Sequence, residues 1–261
     1  MTIFEIIALL VAGLLVGFIN TMAGGGSIIS LSLLMFLGLP ANVANATNRI
    51  GVLFQNVITV GHYTQKKIID YKKGIWLVIP AIIGSTIGAF IAVDLNKEII
   101  EKVIGGIMIM MMGFILVNPN RWIHENLERI NKKPTFLQIL IFFLIGFYGG
   151  FIQLGVGYFL IAGLVLNAGY DLVKANALKV LIILAYTPVA IIIFQINGHI
   201  NWGYGLTLGA GTMIGGYIAS RMAIKKGAGF VRWILIVIII LTAARSFGLI
   251  NIDQFLESIM K

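Results

Sequence analysis

The feature that most constrains this chain is residues 17–49, GFINTMAGGGSIISLSLLMFLGLPANVANATNR. Apolar runs flank this stretch, so we expect it to lie at membrane depth. It nevertheless holds three consecutive glycines, four asparagines and an arginine. Irregular backbone cannot face lipid, because its N–H and C=O groups would lack hydrogen-bond partners there. The stretch must therefore be buried in protein or line a water-filled cavity.

The composition is typical of a polytopic membrane protein. Of 261 residues, 59% are hydrophobic and 11% are charged, whereas soluble domains are about one-quarter charged. The net charge of +9 comes from lysines and arginines in short segments between apolar runs, where they act as topology signals. We therefore expect no nucleic-acid partner. The chain has no cysteine, which excludes disulfides and thiolate chemistry.

Apolar runs and breaks predict a single all-α transmembrane domain over residues 1–261. Glycine-rich breaks are expected at 23–27 and 154–157, and residues 62–73 are expected to form a loop. Residues 118–134 form the longest polar segment and are interpreted as a cytoplasmic linker. The predicted helices cover residues 3–22, 28–38, 42–62, 74–93, 98–117, 136–153, a short run to 166, a segment opening in 167–179 and ending near 195, 202–222 and 230–248.

The two halves of the chain, about 1–117 and 135–250, repeat one another. Gly17-Phe18 matches Gly146-Phe147, and two extra residues in the second half then give a constant offset of 131. That offset pairs Gly24 with Gly155, Gly26 with Gly157, Gly38 with Gly169 and Asn45 with Asn176. Such a long match at one offset indicates an internal repeat.

The charges of equivalent loops predict that the repeats have opposite orientations. Residues 64–73 carry four lysines, and their counterpart, residues 195–204, carries no lysine or arginine. The pattern reverses in the next loop, where Lys225 and Lys226 lie in the second half. Because cationic loops stay in the cytoplasm, we predict inverted-topology repeats whose Gly-broken helices meet near the midplane, with both chain ends external.

The internal charges favour an anionic ligand. Arg49, Lys174 and Lys179 lie near the starts of the helices that follow the breaks, and no acidic residue falls in the middle of a predicted helix. Intramembrane charge usually marks function, and bare glycine N–H groups and helix N-termini attract anions. Two structural alternatives remain open. Lys174 is expected to pair with Asp171 and to extend to the surface, and Arg49 would alternatively hold helices together by binding loop carbonyls.

The predicted substrate-binding residues combine polar and glycine positions from both repeats. For the amides, simple interhelical hydrogen bonding is the alternative. The set is Asn20, Gly24, Gly25, Gly26, Asn45, Asn48, Arg49, Gln153, Gly155, Gly157, Asn176 and Lys179. The histidines lack ligand spacing, so neither a metal nor a cofactor is predicted. No catalytic constellation lies at membrane depth, so we do not expect an enzyme.

At these residues the sequence resembles a known family. GFINTMAGGGS (17–27) and GLPANVANATNR (38–49) resemble the first repeat of the sulfite exporter TauE/SafE family, and YGGFIQLGVG (148–157) with ANALK (175–179) resembles the second. The resemblance covers essentially the whole chain. It implies a prokaryotic plasma-membrane permease that exports sulfite, organosulfonates or related oxoanions. The first glycine run reads AGGGS where many relatives read GIGGG, so the resemblance gives a class of ligand only.

The predicted function is therefore a multi-pass secondary transporter of a small oxoanion, sulfonate or carboxylate that works by alternating access. A passive anion channel would carry the same sequence features. A non-transporting membrane scaffold is the third alternative, although it would not need paired internal cations. The expected partners are the small anion and the lipid bilayer, and a homodimer is left open.

Overall fold

The computed structural model describes residues 1–93, 125–131 and 133–246, which are helical apart from short connections. The predicted helix 98–117 lies outside these residues, as do residues 118–124 and 132 of the predicted linker and the end of the last predicted helix. The described helices are α1 Ile3–Met22, α2 Ser27–Phe36, α3 Ala41–Gln65, α4 Tyr71–Val93, α5 Leu127–Asn131, α6 Phe136–Phe151, α7 Val156–Ala162 with a π-helical extension Gly163–Asn167, α8 Leu172–Ile196 and α9 Trp202–Ser246.

The same side-chain device starts the first helix of each half. The Thr2 hydroxyl accepts the N–H of Glu5, and the Glu5 carboxylate accepts the N–H of Thr2. Thr135 and Gln138 exchange the equivalent pair of hydrogen bonds before α6. Such capping boxes satisfy N–H groups that have no partner within the helix, so the chain fixes both helix starts locally.

The loop predicted over residues 62–73 is shorter than expected at both ends. Helix α3 continues to Gln65, and α4 already begins at Tyr71. His62 therefore belongs to the last turn of α3, where its Nδ1 lies 2.9 Å from the Ser220 hydroxyl. Polar composition does not end a helix when its backbone hydrogen bonds can continue, which is why the loop is shorter than predicted.

The last two predicted helices are both present, and a kink at Gly227 separates them within the segment labelled α9. This segment runs from Trp202 to Ser246, and Gly227 leaves helical geometry in it, with φ of 74° and ψ of −176°. Glycine reaches this conformation without the clash that a Cβ would create. The predicted polar gap between residues 222 and 230 thus shrinks to one glycine.

The apolar helices identify the environment of the fold. Helices α1, α4 and α8 are long and apolar enough to cross a membrane by length and composition. Large apolar side chains project outward from α1, α4 and α6, including Val11, Ile83 and Phe136. An apolar surface of this extent needs a bilayer or a partner to cover it. The all-α architecture is that of a polytopic membrane protein.

Glycines let the first helix of each half pack closely against a helix of the other half. A Cβ on Gly17 of α1 would lie 2.2 Å from the carbonyl oxygen of Thr212 in α9. A Cβ on Gly146 of α6 would lie 2.2 Å from the carbonyl oxygen of Ala81 in α4. These two contacts join residues that the sequence offset makes equivalent. Only glycine permits such backbone contact, so the two halves are interleaved.

The backbone geometry follows the same offset. Gly24 and Gly155 both have positive φ, as do Gly38 and Gly169. Lys67, with φ of 55°, is the non-glycine member of a third pair, because its equivalent, Gly198, has φ of 70°. The repeated sequence therefore produces repeated chain reversals. The inverted orientation of the two halves in the membrane stays a prediction.

Candidate functional site

The two glycine breaks meet inside the protein. A Cβ on Gly24 would lie 2.4 Å from the Cα of Gly157, and a Cβ on Gly157 would lie 2.3 Å from the Cα of Gly24. Helices α2 and α7 begin at this contact, directly after the breaks. Backbone contact at this distance requires glycine on both sides, so the expectation that the broken helices meet is confirmed.

The side chain of Lys179, in α8, caps the C-terminal end of α1. Its ammonium group donates to the carbonyls of Asn20 and Thr21, both at 2.8 Å, and to the side-chain oxygen of Asn176 at 2.7 Å. The last carbonyls of a helix have no partner within that helix. A cation is favoured at this negative end of the helix dipole. Lys179 is fully buried, and its three donors are all used.

Arg49 of α3 makes the equivalent contact with the end of α6. Its two terminal nitrogens donate to the carbonyls of Gly149 at 3.0 Å and Gly150 at 2.7 Å. The guanidinium also lies over the ring of Phe194, with Cζ 4.7 Å from the ring centre. In the repeat, Gly149 and Gly150 occupy the places of Asn20 and Thr21. The cations of each half therefore cap the broken helix of the other half.

Two equivalent asparagines complete this exchange. The Asn45 amide donates to the carbonyl of Phe151 at 3.2 Å, and the Asn176 amide donates to the carbonyl of Met22 at 3.1 Å. Phe151 and Met22 are the last residues of α6 and α1. Asparagine and cation together satisfy the terminal carbonyls of each broken helix, so a backbone end at membrane depth is stabilised without water.

A narrow cavity lies beside the meeting point of the breaks. It offers about 10 Å³ to the centre of a water-sized sphere, which is room for roughly one water. Residues from both halves line it: Asn20, Gly24, Ser27, Val52, Gln55, Asn56, Gln153, Val156, Gly157, Lys179, Val180 and Ile183. Five of the predicted site residues are therefore brought to one cavity, namely Asn20, Gly24, Gln153, Gly157 and Lys179.

Amide groups in this lining have unused hydrogen-bonding capacity. Both polar atoms of Gln153, both of Asn56 and the Oε1 of Gln55 are buried and have no partner among the described residues. The Gln55 amide nitrogen donates to Thr21 at 3.1 Å. Buried amides without hydrogen-bond partners lower the stability of a fold. Their clustering at one cavity makes this cavity the candidate binding site for a polar ligand.

Asn56 is a lining residue absent from the predicted set. It follows Asn45 on α3 by eleven positions, about three turns of 3.6 residues. It therefore shares a face with an asparagine that the prediction included. Its position on the same face of α3 as Asn45 would have been enough to predict Asn56 as a site residue. Gln153 is marked by a different sequence feature. With Leu154 it forms the two-residue insertion at which the offset between the repeats changes from 129 to 131.

The other predicted residues lie outside the cavity lining. Arg49, Asn45 and Asn176 face helix ends, as described above, and the Asn48 side chain accepts a hydrogen bond from the Ser30 hydroxyl at 2.6 Å. Gly25 lies against the ring of Tyr158, where a Cβ would fall 2.0 Å from its hydroxyl. Gly26 and Gly155 directly precede α2 and α7. Gly155 has left-handed geometry with φ of 69°, whereas Gly26 has helical geometry, and a Cβ there would lie 2.6 Å from the carbonyl oxygen of Val16.

The prediction that Lys174 pairs with Asp171 is wrong. Its ammonium group lies 2.8 Å from a carboxylate oxygen of Glu125. Asp171 instead caps α8, because its carboxylate accepts the N–H groups of Val173 and Lys174 at 2.7 and 3.0 Å. A carboxylate at the N-cap gains two backbone hydrogen bonds and a favourable helix dipole. Because the Asp171 carboxylate is used in this cap, it does not form the predicted pair with Lys174.

The cavity carries positive charge and no described carboxylate. Lys179 is the charged residue in its lining, and ion pairs among the described residues involve other cations. The partners of Lys179 are neutral carbonyls and an amide, so no described carboxylate balances the positive charge that its ammonium group carries when protonated, and that charge favours a nearby anion. Chemically, the site offers one cation and amide donors to a small polar anion.

Comparison with known proteins places this chain in a family. The model of the family described as "Sulfite exporter TauE/SafE" matches residues 9–246. The chain belongs to the TauE/SafE sulfite exporter family. The match includes both glycine breaks and both capping cations. Together with the apolar helices, it makes this TauE/SafE protein a membrane transporter of that type.

Curated relatives agree with this assignment. "Probable membrane transporter protein ORF9" from Sinorhizobium sp is 27% identical, over 93% of this chain and 92% of the relative. YunE from Bacillus subtilis is 26% identical, over 90% and 94%. YfcA from Escherichia coli K12 is 23% identical, over 89% and 86%. The last two are also named as probable membrane transporter proteins. No solved structure matches this chain.

Proposed function

We propose that this TauE/SafE protein is a secondary transporter that moves a small oxoanion, such as sulfite or a short sulfonate, by alternating access. Lys179 supplies the positive charge, and the amide nitrogens of Gln153 and Asn56, which have no partner among the described residues, donate hydrogen bonds to the anion. Asn20 and the backbone near Gly24 and Gly157 complete the binding site. The protein works as a multi-pass transporter of the prokaryotic plasma membrane and catalyses no chemical reaction.

One observation carries the proposal: unpartnered amides and a buried cation line the same cavity where two broken helices meet. An oxoanion accepts hydrogen bonds on every oxygen, so it satisfies amide N–H donors that lack partners here. Hydrogen bonds to charged groups are stronger than those between neutral groups. A cation as substrate would instead be repelled by Lys179 and would find no described carboxylate in the lining.

The size of the cavity favours a mechanism with a conformational change. Space for about one water is too small for an anion of four or more heavy atoms. The helices around the site must therefore separate before a ligand enters. Glycine contacts between α1 and α9 and between α4 and α6 give smooth surfaces along which one half can move against the other.

The direction of transport needs no acidic proton relay. An inside-negative membrane potential drives an anion outward by about 2.3 kcal/mol per charge per 100 mV. The anion can also carry a proton itself when it is a weak acid. A channel would give flux that rises linearly with concentration, and a scaffold would give none. A transporter gives saturable flux, which separates the three functions.

The test is flux of sulfite, short sulfonates and carboxylates into liposomes that contain the purified protein. Gln153→Ala removes two of the unpartnered polar atoms, and we expect flux to fall roughly tenfold or more. Gln65→Ala is the matched control, because Gln65 is exposed at the end of α3, and its flux should equal that of the unaltered protein. Equal flux for both variants would remove this cavity as the binding site.

A further inference from the structure

A second cavity shares no lining residue with the cavity beside the glycine breaks, and its lining is basic. It offers about 190 Å³ to the centre of a water-sized sphere. It is formed by the start of α4, the segment from α5 to α6 and the residues before α8. Its lining is Lys72, Lys73, Trp76, Leu77, Arg129, Ile130, Lys133, Pro134, Gln138, Ala168 and Tyr170. Four of these residues are cationic, and none of the described lining residues is acidic.

The positive charge in this cavity is only partly balanced. Lys73 lies 3.8 Å from the Asp70 carboxylate, with both side chains partly exposed, where ion pairs contribute little. Arg129 donates one hydrogen bond to the carbonyl of Leu166 at 2.9 Å and keeps its charge. Glu125 is paired with Lys174, and Glu128 lies next to Arg129 in α5. The cavity therefore attracts a group that carries negative charge.

The surroundings of the cavity fit a lipid. Trp76 is 58% exposed at its edge, and tryptophan concentrates at the level of lipid headgroups. Beyond this edge, the outward faces of α4 and α6 are apolar, with Ile79 exposed by 47%, Phe136 by 79% and Leu137 by 58%. A basic cavity that opens onto apolar helix faces complements a molecule with an anionic head and acyl chains.

We infer that this basic cavity binds the phosphate headgroup of an anionic phospholipid, whose acyl chains lie along α4 and α6. Basic pockets between transmembrane helices bind such headgroups. Lys72 from the start of α4 and Lys133 from the segment before α6 contact the phosphate, while Trp76 packs at the headgroup level. The site is separate from the proposed transport site and does not depend on which anion is transported.

The experiment compares lipid binding by two double variants of the full chain. K72Q/K133Q removes two cavity charges, and K225Q/K226Q removes two charges from α9 outside the cavity. Phosphatidylglycerol and phosphatidylcholine are titrated onto each purified protein, and binding is read by native mass spectrometry and by thermal unfolding. We expect phosphatidylglycerol affinity to fall about 30-fold in K72Q/K133Q and to stay within about threefold in the control.

Other results would overturn the inference. Equal losses in the two double variants would show that only general surface charge matters. Equal affinity for the two lipids would show that the phosphate charge is not recognised. Stabilisation by inorganic phosphate or glycerol phosphate, without stabilisation by phosphatidylglycerol, would assign the cavity to a soluble anion. All variants should unfold at the same temperature in phosphatidylcholine alone, because the replaced lysines are exposed.

Discussion

The ammonium group of Lys179 donates a 2.8 Å hydrogen bond to the carbonyl of Asn20, a residue in the other half of the chain. This contact caps the C-terminal end of α1 and at the same time places the Lys179 ammonium group in the lining of the cavity beside the glycine breaks. One side chain therefore has a structural and an electrostatic role. Arg49 has the structural role in the other half but does not line the cavity, so the two cations can be distinguished by experiment.

Replacement of Lys179 should impair both stability and transport. Lys179→Met removes three hydrogen bonds and the charge at the cavity, and leaves two carbonyls of α1 without donors. We expect a lower thermal unfolding midpoint, corresponding to about 2 kcal/mol or more, and loss of sulfite flux in liposomes. Lys179→Arg keeps the charge and should retain measurable flux. Full flux in Lys179→Met, at equal amounts of folded protein, would contradict the proposed binding role.

Replacement of Arg49 should impair stability with little effect on substrate affinity. Arg49→Lys keeps the charge, but an ammonium group lacks the planar fork that reaches Gly149 and Gly150 together. We expect destabilisation of about 1–3 kcal/mol, measured by thermal unfolding in detergent. The KM for sulfite flux should stay within about twofold. A large rise in KM would instead place Arg49 in contact with the substrate.

The contact between the glycine breaks should tolerate no side chain. Gly24→Ala would place a Cβ 2.4 Å from the Cα of Gly157, in a backbone conformation with φ of 92°. We expect a loss of about 2–5 kcal/mol from overpacking and backbone strain together. Gly61→Ala is the control, because Gly61 is helical with nothing within 4 Å of a built Cβ. That variant should gain roughly 0.5–1 kcal/mol; equal unfolding midpoints would argue against the contact.

The inverted orientation of the repeats can be tested because the chain has no cysteine. Lys66 and Asn197 are equivalent under the offset of 131, and both are exposed. Lys66→Cys and Asn197→Cys therefore introduce single, matched labelling sites. With a membrane-impermeant maleimide on intact cells, we expect Asn197→Cys to be labelled and Lys66→Cys to need permeabilisation. Labelling of both from the same side would exclude inverted repeats.

Local sequence signals predicted much of the fold. The apolar run over residues 3–22 coincides with α1, and the first glycine break falls at residues 23–26, within the predicted 23–27. The second break lies at residues 152–155, two residues before the predicted 154–157. These features were largely predictable because span length and glycine geometry are local properties. The predictions failed where local polarity was misleading. Residues 62–65 and 71–73 are helical despite their composition, and Lys174 pairs with Glu125 because Asp171 is used as a helix cap.

The sequence by itself determined the membrane class, the internal repeat, the two breaks and the presence of buried cations without a nearby acid. Only the tertiary structure decided what each polar side chain faces. Under the repeat offset, Lys179 aligns with Asn48, and Arg49 is the next residue. Lys179 nevertheless reaches the cavity with Gln153 and Asn56, while Arg49 points to the end of α6. The reason is physical: these partners are backbone carbonyls 100 and 159 residues away in the chain, and helical periodicity does not fix the rotation of one helix against another.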